Sequence, residues 1–226
     1  MTSFQFLKQQ LKRSKLIRFG VELARSGRSS LQQQREHKSL RQAMARANPL
    51  HIVIGASGTR QDGWIATEQS QLDLLLPNTW ERFTPRSSIQ AINAEHVWEH
   101  LSLQDGLIAA QTCFEFLCPG GRLRCAVPDG FHPSAEYIHY VQPGGTGVGS
   151  DDHKVLYTHE SFADLFQTAG FETVLLEYFD RDGIFHSQDW DPADGMVSRS
   201  YRFDERNQSQ AYGYTSLIID AIKPKT

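Results

Sequence analysis

The stretch that decides the fold is Leu50-His51-Ile52-Val53-Ile54-Gly55-Ala56-Ser57-Gly58. A short, mostly apolar run that ends at two closely spaced glycines is typical of a buried strand entering a tight turn. Glycine adopts backbone conformations closed to other residues and lets a ligand approach the main chain. In open α/β sheets, ligands bind beyond the carboxyl ends of the strands. The stretch therefore predicts a ligand-binding turn, with an ordinary strand-ending turn as the alternative.

Strands and helices alternate on both sides of this stretch. Further strands are predicted over residues 64–67, 88–92, 122–127, 172–179 and 214–222, and helices over residues 103–116 and 159–169. Such alternation indicates βαβ units and a mostly parallel sheet. Residues 119–121, Pro-Gly-Gly, predict a turn. Residues 180–213 are polar and aromatic without periodic runs, which predicts an insertion or lid.

The size and composition fit one globular domain with an appendage. The chain has 226 residues, 39% of them hydrophobic and 22% charged. Its three cysteines, Cys113, Cys118 and Cys125, form no C-x-x-C pair, which favours a reducing compartment. No apolar run approaches the ~20 residues of a membrane span, and cations interrupt the N-terminus where a signal peptide would be apolar. These features predict a cytoplasmic protein.

The charge is divided unevenly along the chain. Residues 1–48 contain 11 Lys and Arg against two acids, whereas the remainder contains 12 against 24. We predict a basic helical arm over 1–48, with a polar helix-prone part that ends at Pro49, and a domain over 49–226. Three uses of the arm stay open: residues 1–30 at an anionic membrane face, contact with nucleic acid, or packing on the acidic body. That acidic body argues against an extended nucleic-acid track.

Several segments, taken in order, resemble the class I S-adenosylmethionine (SAM)-dependent methyltransferases. They are LHIVIGASG (50–58), DGWIATE (62–68), EHVWEHL (95–101), LCPGGRLRCAVPD (117–129) and DHKVLY (152–157). The resemblance covers residues 50–178, and it is weaker at the C-terminus. It implies a Rossmann-like, doubly wound, mostly parallel sheet, SAM as the cofactor, and an antiparallel final strand. Residues 59–87 are too few for two crossover helices, so the fold is predicted to be shortened between the first and fourth strands.

The resemblance also implies where the cofactor binds. Glu68 would accept hydrogen bonds from both ribose hydroxyls at the end of the second strand. Asp73 would face the adenine, or else serve as a turn residue. Gly55 and Gly58 of the glycine turn would lie beneath the methionine part of SAM. The implied cofactor-binding residues are Gly55, Ala56, Ser57, Gly58, Glu68, Asp73, Glu95 and His96.

Acids and histidines near the strand ends are the catalytic candidates. At helical spacing, His96 lies beside His100, and either can take a proton from an acceptor hydroxyl or simply stabilise a helix start. The same letters, HVWEH, match the H-x-x-E-H of zinc peptidases, but no third-ligand motif follows, and we assign no residue to a metal. His153, with Asp151 and Asp152 before it, suits an acceptor-side base, a divalent-metal site or a solvated surface. The catalytic candidates are His96, Glu99, His100, Asp129 and His153.

The sequence thus favours a SAM-dependent methyltransferase. Aromatic and arginine residues in 180–213 suit a saccharide or lipid-linked glycan acceptor, and they suit a dimer interface nearly as well. Two alternatives stay open: a catalytically inactive fold that binds a partner, and a nucleic-acid-binding module that uses the arm. A nicotinamide enzyme is disfavoured because G-x-G-x-x-G is absent.

Overall fold

The computed structural model describes residue 32 and residues 34–209 and 212–225. The chain divides into two compact units, residues 1–43 and 44–226. Residue 32 and residues 34–46 are helical (helix α1). The segment 1–30, which the sequence assigns to a membrane face, lies outside the described residues. None of the described helices combines the length and the hydropathy needed to cross a membrane.

The larger unit is built on one seven-stranded sheet in the order β2-β1-β3-β4-β7-β5-β6. Its first four strands run parallel, and β7 runs antiparallel to both of its neighbours, β4 and β5. The predicted doubly wound, mostly parallel sheet with an antiparallel final strand is therefore confirmed. The strands are β1 His51–Val53, β2 Ile65–Ala66, β3 Ile89–Glu95, β4 Leu117–Pro128, β5 Glu172–Phe179, β6 Phe185–Ser187 and β7 Ser216–Ile222.

The predicted shortening is also confirmed. Between β1 and β3 the chain contains only β2 and a one-turn helix, α2 (Pro77–Trp80). A buried indole fixes this short connection, because Trp80 donates a hydrogen bond from Nε1 to the carbonyl of Asp73 at 2.8 Å. The remaining helices are α3 Leu103–Phe116, α4 Ala135–Val141, α5 His159–Thr168 and α6 Arg206–Ser209.

The predicted turn at 119–121 is wrong, because these residues belong to β4. The pairing between β3 and β4 shifts register there, so that Ile89 faces Leu117 while Ala91 already faces Arg122. Beyond β7, Lys223 donates to the carbonyl of Gly121, and its own carbonyl accepts from Gly120. A sheet accommodates extra residues as an irregularity of this kind when their backbone groups find partners.

Helices α3 and α5 cover one face of the sheet. Ser102 caps α3 by accepting from the amide of Asp105, and Thr158 begins α5 with a capping box closed by Ser161. The buried stripe of α3 includes Cys113, whose thiol lies near that of Cys125 on β4. Burial raises the pKa of both thiols far above its usual range, so they fill the core as inert groups.

The opposite face is covered by an irregular segment, residues 188–204. Trp190 and Val197 are buried there against Ala126, Leu176 and Ile218 of the sheet. The segment is thus packed as a layer of the domain. Its opening as a lid stays a prediction.

Candidate active site

A cleft of about 370 Å³ opens at the carboxyl ends of β1 and β3. The chain leaves β1 for β2 on one side of the sheet and then crosses to β3 on the other, so the cleft lies at the topological switch point. Ligands of open α/β sheets bind at such points. Four parts of the chain line the cleft: the turn after β1, residues 93–100, the loop 140–153, and a C-terminal group of Arg199, Arg206 and Tyr214.

The glycine turn forms one wall of the cleft. Gly55, Ser57 and Gly58 have positive φ angles of 59°, 46° and 89°, a region that glycine adopts without strain. A Cβ at Gly55 would lie 2.9 Å from Cγ2 of Val97, so only glycine fits there, whereas Gly58 has open space around it. Gly55, Ala56 and Ser57 line the cleft, but Gly58 does not.

The two acids expected at the ribose and adenine lie outside the lining of this cleft. Glu68 is exposed directly after Thr67, whose amide donates to Val53 and whose carbonyl accepts from Ala56. Asp73 is half-buried and accepts from the amide of Leu75 at 2.8 Å, which is the geometry of a turn residue. The structure therefore favours the turn alternative for Asp73.

Glu95 lines the cleft, and its carboxylate also anchors the 188–204 segment. It accepts hydrogen bonds from the amides of Ser198 at 3.1 Å and Arg199 at 2.8 Å. The guanidinium of Arg199 lies 4.0 Å from the same carboxylate. Both carboxylate oxygens of Glu95 are therefore already hydrogen-bonded, and a contact with the cofactor would be made in addition to these bonds.

His96 is fixed by hydrogen bonding at both sides of its ring. The hydroxyl of Ser216 donates its one proton to the carbonyl of Arg199 at 2.6 Å, so it accepts from Nε2 of His96 at 3.0 Å. Nδ1 of His96 lies 2.8 Å from Oε1 of Glu99. His96 is thus tied to Glu99 rather than available to an acceptor.

Glu99 is a buried carboxylate at the base of the cleft, with 1% of its side chain exposed. Its Oε2 has no hydrogen-bond partner among the residues that the structure describes. Burial raises the pKa of Glu99, but the contact with His96 and the charge of His100 outweigh it, so the pKa lies below its usual value. Glu99 is therefore held as a carboxylate in a site with little solvent.

Two imidazoles complete the base of the cleft beside Glu99. Nδ1 of His153 donates to the carbonyl of Val141 at 2.6 Å, which leaves its Nε2 unprotonated in the neutral ring. The rings of His100 and His153 meet edge to face at 4.9 Å between centroids, and Nδ1 of His100 lies 3.3 Å from the carboxylate of Asp152. One potential ligand atom each from Glu99, His100 and His153 lies within 4.8 Å of the other two.

Asp129, a catalytic candidate from the sequence, does not line the cleft. Its carboxylate is buried and accepts from the amides of Phe131 at 2.9 Å and Phe179 at 2.7 Å. Burial raises the pKa of Asp129 to about 6, against the opposing effect of these two hydrogen bonds. Asp129 joins the end of β4 to the end of β5, and we leave it out of the candidate site.

Several lining residues escaped the sequence analysis as site residues. Asn93 is a polar residue in the middle of a buried strand, and its side chain donates to the carbonyl of Met196 at 2.7 Å. The ring of Tyr214 lies beneath the guanidinium of Arg206 at 3.6 Å, and Tyr140 is an exposed residue of the lining. A polar residue inside an apolar strand was the only available signal for Asn93. No local pattern marks the tyrosines.

Neither a protein-family model nor a curated protein matches the sequence. Among solved structures, the chain is similar to one from the Haloferax volcanii complex of the Trm112 methyltransferase activator with a methyltransferase (TM-score 0.47, 13% identity, 88% of this chain and 94% of that chain). It is also similar to a SAM-dependent methyltransferase from Archaeoglobus fulgidus (TM-score 0.46, 14% identity, 84% of this chain and 94% of that chain). A third similar structure is a SAM-dependent methyltransferase from Thermotoga maritima (TM-score 0.45, 16% identity, 83% of this chain and 89% of that chain). At these values the likeness concerns the course of the chain alone.

Proposed function

We propose that this chain is a SAM-dependent methyltransferase that uses the cleft at the ends of β1 and β3. The observation that carries the proposal is the glycine turn at the switch point, whose left-handed backbone opens directly onto the cleft. A volume of about 370 Å³ lies within the range of small-molecule sites, ~300–1,000 Å³. The ordered motifs of the sequence support SAM as the ligand.

Within this proposal, Gly55, Ala56 and Ser57 lie beneath the methionine part of SAM. Glu68, exposed at the end of the neighbouring strand β2, accepts hydrogen bonds from the ribose hydroxyls. Bound SAM would supply the methyl group: its bond to sulfur would break with the electron pair left on sulfur, an acceptor oxygen would take the carbon, and the acceptor's proton would pass to water. The protein contributes mainly by holding donor and acceptor in line.

We propose a hydroxyl-bearing acceptor, a saccharide or lipid-linked glycan. The lining of the cleft includes Tyr140 and Tyr214 together with Arg199 and Arg206. Aromatic faces pack on sugar rings, and guanidinium groups bind hydroxyls and anionic substituents. The proposal includes a cytoplasmic location. It also includes contact of the basic arm with an anionic membrane face, because residues 1–48 carry 11 cations.

The first test is a calorimetric titration of the purified full chain with SAM and with S-adenosylhomocysteine in the presence of EDTA. We expect saturable binding of both ligands at one site per chain, and no binding of a nicotinamide dinucleotide. Such a result justifies an acceptor screen that begins with saccharides. Absence of SAM binding at millimolar ligand would instead favour the alternative of an inactive fold that binds a partner.

A further inference from the structure

We infer that Glu99, His100 and His153 form a binding site for a divalent transition-metal cation at the base of the cleft. One potential ligand atom from each residue lies within 4.8 Å of the other two. All three residues line the cleft, so a cation bound there would be reached from the proposed substrate site. From the sequence, a divalent-metal site is one option for His153 with the acids before it, but its pairing with Glu99 and His100 follows no motif, because it lies 53 positions beyond His100.

The strongest observation is the unpartnered oxygen of a fully buried carboxylate. Neither carboxylate oxygen of Glu99 has a hydrogen-bond partner among the described residues, although Oε1 lies 2.8 Å from Nδ1 of His96. A buried charged oxygen without a partner is costly, so buried carboxylates are normally paired or coordinate a metal. A cation between Glu99 and the two imidazoles would supply the missing partner.

The ring hydrogen bond of His153 is that of a metal ligand. A ligating imidazole usually donates its second N–H to a backbone carbonyl or carboxylate, which fixes the ring and leaves the other nitrogen to the metal. His153 donates from Nδ1 to the carbonyl of Val141 at 2.6 Å. Nδ1 of His100 is buried without a hydrogen-bond partner among the described residues, and the carboxylate of Asp152 lies 3.3 Å from it.

Backbone contacts hold the two ligand-bearing segments together. The carbonyl of Glu99 accepts from the amides of Lys154 at 2.7 Å and Val155 at 3.3 Å. Gly149, at a φ of 85°, begins the 3-10 turn Ser150–Asp152 that leads directly into His153. The three groups are therefore positioned by the fold before any cation binds, which lowers the cost of binding.

The donor set indicates the class of metal. Two imidazoles with one carboxylate suit Zn²⁺, Co²⁺, Mn²⁺ or Fe²⁺, whereas Mg²⁺ and Ca²⁺ prefer sites made of oxygen alone. Three protein ligands leave further coordination positions open, which is typical of catalytic rather than structural sites. One further step rests on the proposed function. If the chain is a methyltransferase, an acceptor hydroxyl would bind at an open coordination position of the cation, and the cation would lower the pKa of that hydroxyl.

The test uses the full chain without a histidine tag, stripped with EDTA, dialysed and then titrated with Co²⁺. Visible absorption and equilibrium dialysis report binding. The variants are Glu99→Gln, which keeps the volume but removes the charge, and His153→Gln. The control is His139→Gln, because His139 is exposed on α4 and does not line the cleft. Circular dichroism checks that each variant is folded.

We expect one Co²⁺ per parent chain, and an affinity at least ~10-fold lower in Glu99→Gln and in His153→Gln. The His139→Gln variant should bind as the parent does. The inference fails if the parent does not bind Co²⁺ at millimolar concentration, or if a folded His153→Gln variant binds it as tightly as the parent.

The failure of this site and the failure of the proposed function are distinguishable. SAM binding is measured with EDTA present, and the glycine turn contains none of the three ligands. Co²⁺ binding without SAM binding would leave the metal site standing and contradict the methyltransferase. SAM binding without Co²⁺ binding would support the methyltransferase and contradict the metal site.

Discussion

Arg124 and Asp220 form a two-pronged ion pair between β4 and β7, beneath the segment that covers one face of the sheet. Nε and Nη2 of Arg124 donate to the two oxygens of Asp220 at 2.7 and 2.8 Å. Nη1 of the same guanidinium donates to the carbonyls of Asp191 and Gly195, each at 2.9 Å. One buried cation therefore joins two strands to the 188–204 segment.

We expect Asp220→Ala to destabilise the protein by about 3–5 kcal/mol, because it leaves a buried guanidinium without its counter-charge. Urea unfolding followed by circular dichroism measures the loss. Glu160→Ala is the control, since it removes the acid from an exposed pair with Arg181 and should leave stability almost unchanged. An equal effect of the two substitutions would contradict the assignment of Arg124 as the anchor of the segment.

The elements that sequence predicted well are those with periodic burial. Helix α3 begins and ends at the predicted residues, and so does β5. The buried face of a helix and an apolar run between turn residues both produce a pattern in the local sequence, so such elements can be predicted from that sequence alone. The antiparallel β7 was predicted from its β-prone composition and from the family resemblance together.

The covering layer and much of the site could not be predicted, because they depend on pairs that are distant in sequence. Segment 188–204 has no periodicity, and it is held by polar groups of the strands, such as Arg124 and Asn93. Glu95 ends β3 and Asp129 follows β4, yet the carboxylate of Glu95 is occupied by the amide of Ser198, 103 residues away, and one oxygen of Asp129 by that of Phe179, 50 residues away. A residue's position can be read from a sequence, whereas the partner that uses its side chain cannot.

Gly55→Ala should weaken SAM binding about tenfold or more, which corresponds to about 1.4 kcal/mol. Its Cβ would meet Val97 at 2.9 Å, so the turn must shift in the wall of the cleft. Gly58→Ala is the matched control: its φ is also positive, but a Cβ there meets no atom within 4 Å. Calorimetry compares the two. Equal affinities would show that the turn does not contact the cofactor.

Amide hydrogen exchange distinguishes a packed layer from a mobile lid. The amides of Ser198 and Arg199 donate to Glu95, and that of Tyr201 donates to Glu177 at 2.7 Å. We expect all three to exchange slowly in the free protein. Glu95→Ala should accelerate exchange at Ser198 and Arg199 while Tyr201 stays protected. Fast exchange at all three amides in the parent would favour a lid that opens as a unit.

Asp129 gives the domain a pH-dependent stability with a defined sign. Burial raises its pKa to about 6, above the ordinary 3.8, so between these values the native protein binds a proton that the unfolded chain has lost. Stability should therefore fall as pH rises from about 4 to about 6, by at most about 3 kcal/mol from this residue. Above that window both states are ionised and the contribution is constant.

The Asp129→Asn variant isolates this contribution from that of other groups. The NH2 group of the asparagine replaces one of the two oxygens that accept from backbone amides, so one hydrogen bond is lost. This loss of stability does not depend on pH. Urea unfolding of parent and variant at about pH 4 and about pH 7 should therefore show the parent's advantage shrinking as pH rises. Asp62→Asn, at an exposed loop position, controls for the loss of a charge. An advantage that grows with pH would mean that the hydrogen bonds from Phe131 and Phe179 dominate over burial and hold the pKa of Asp129 low.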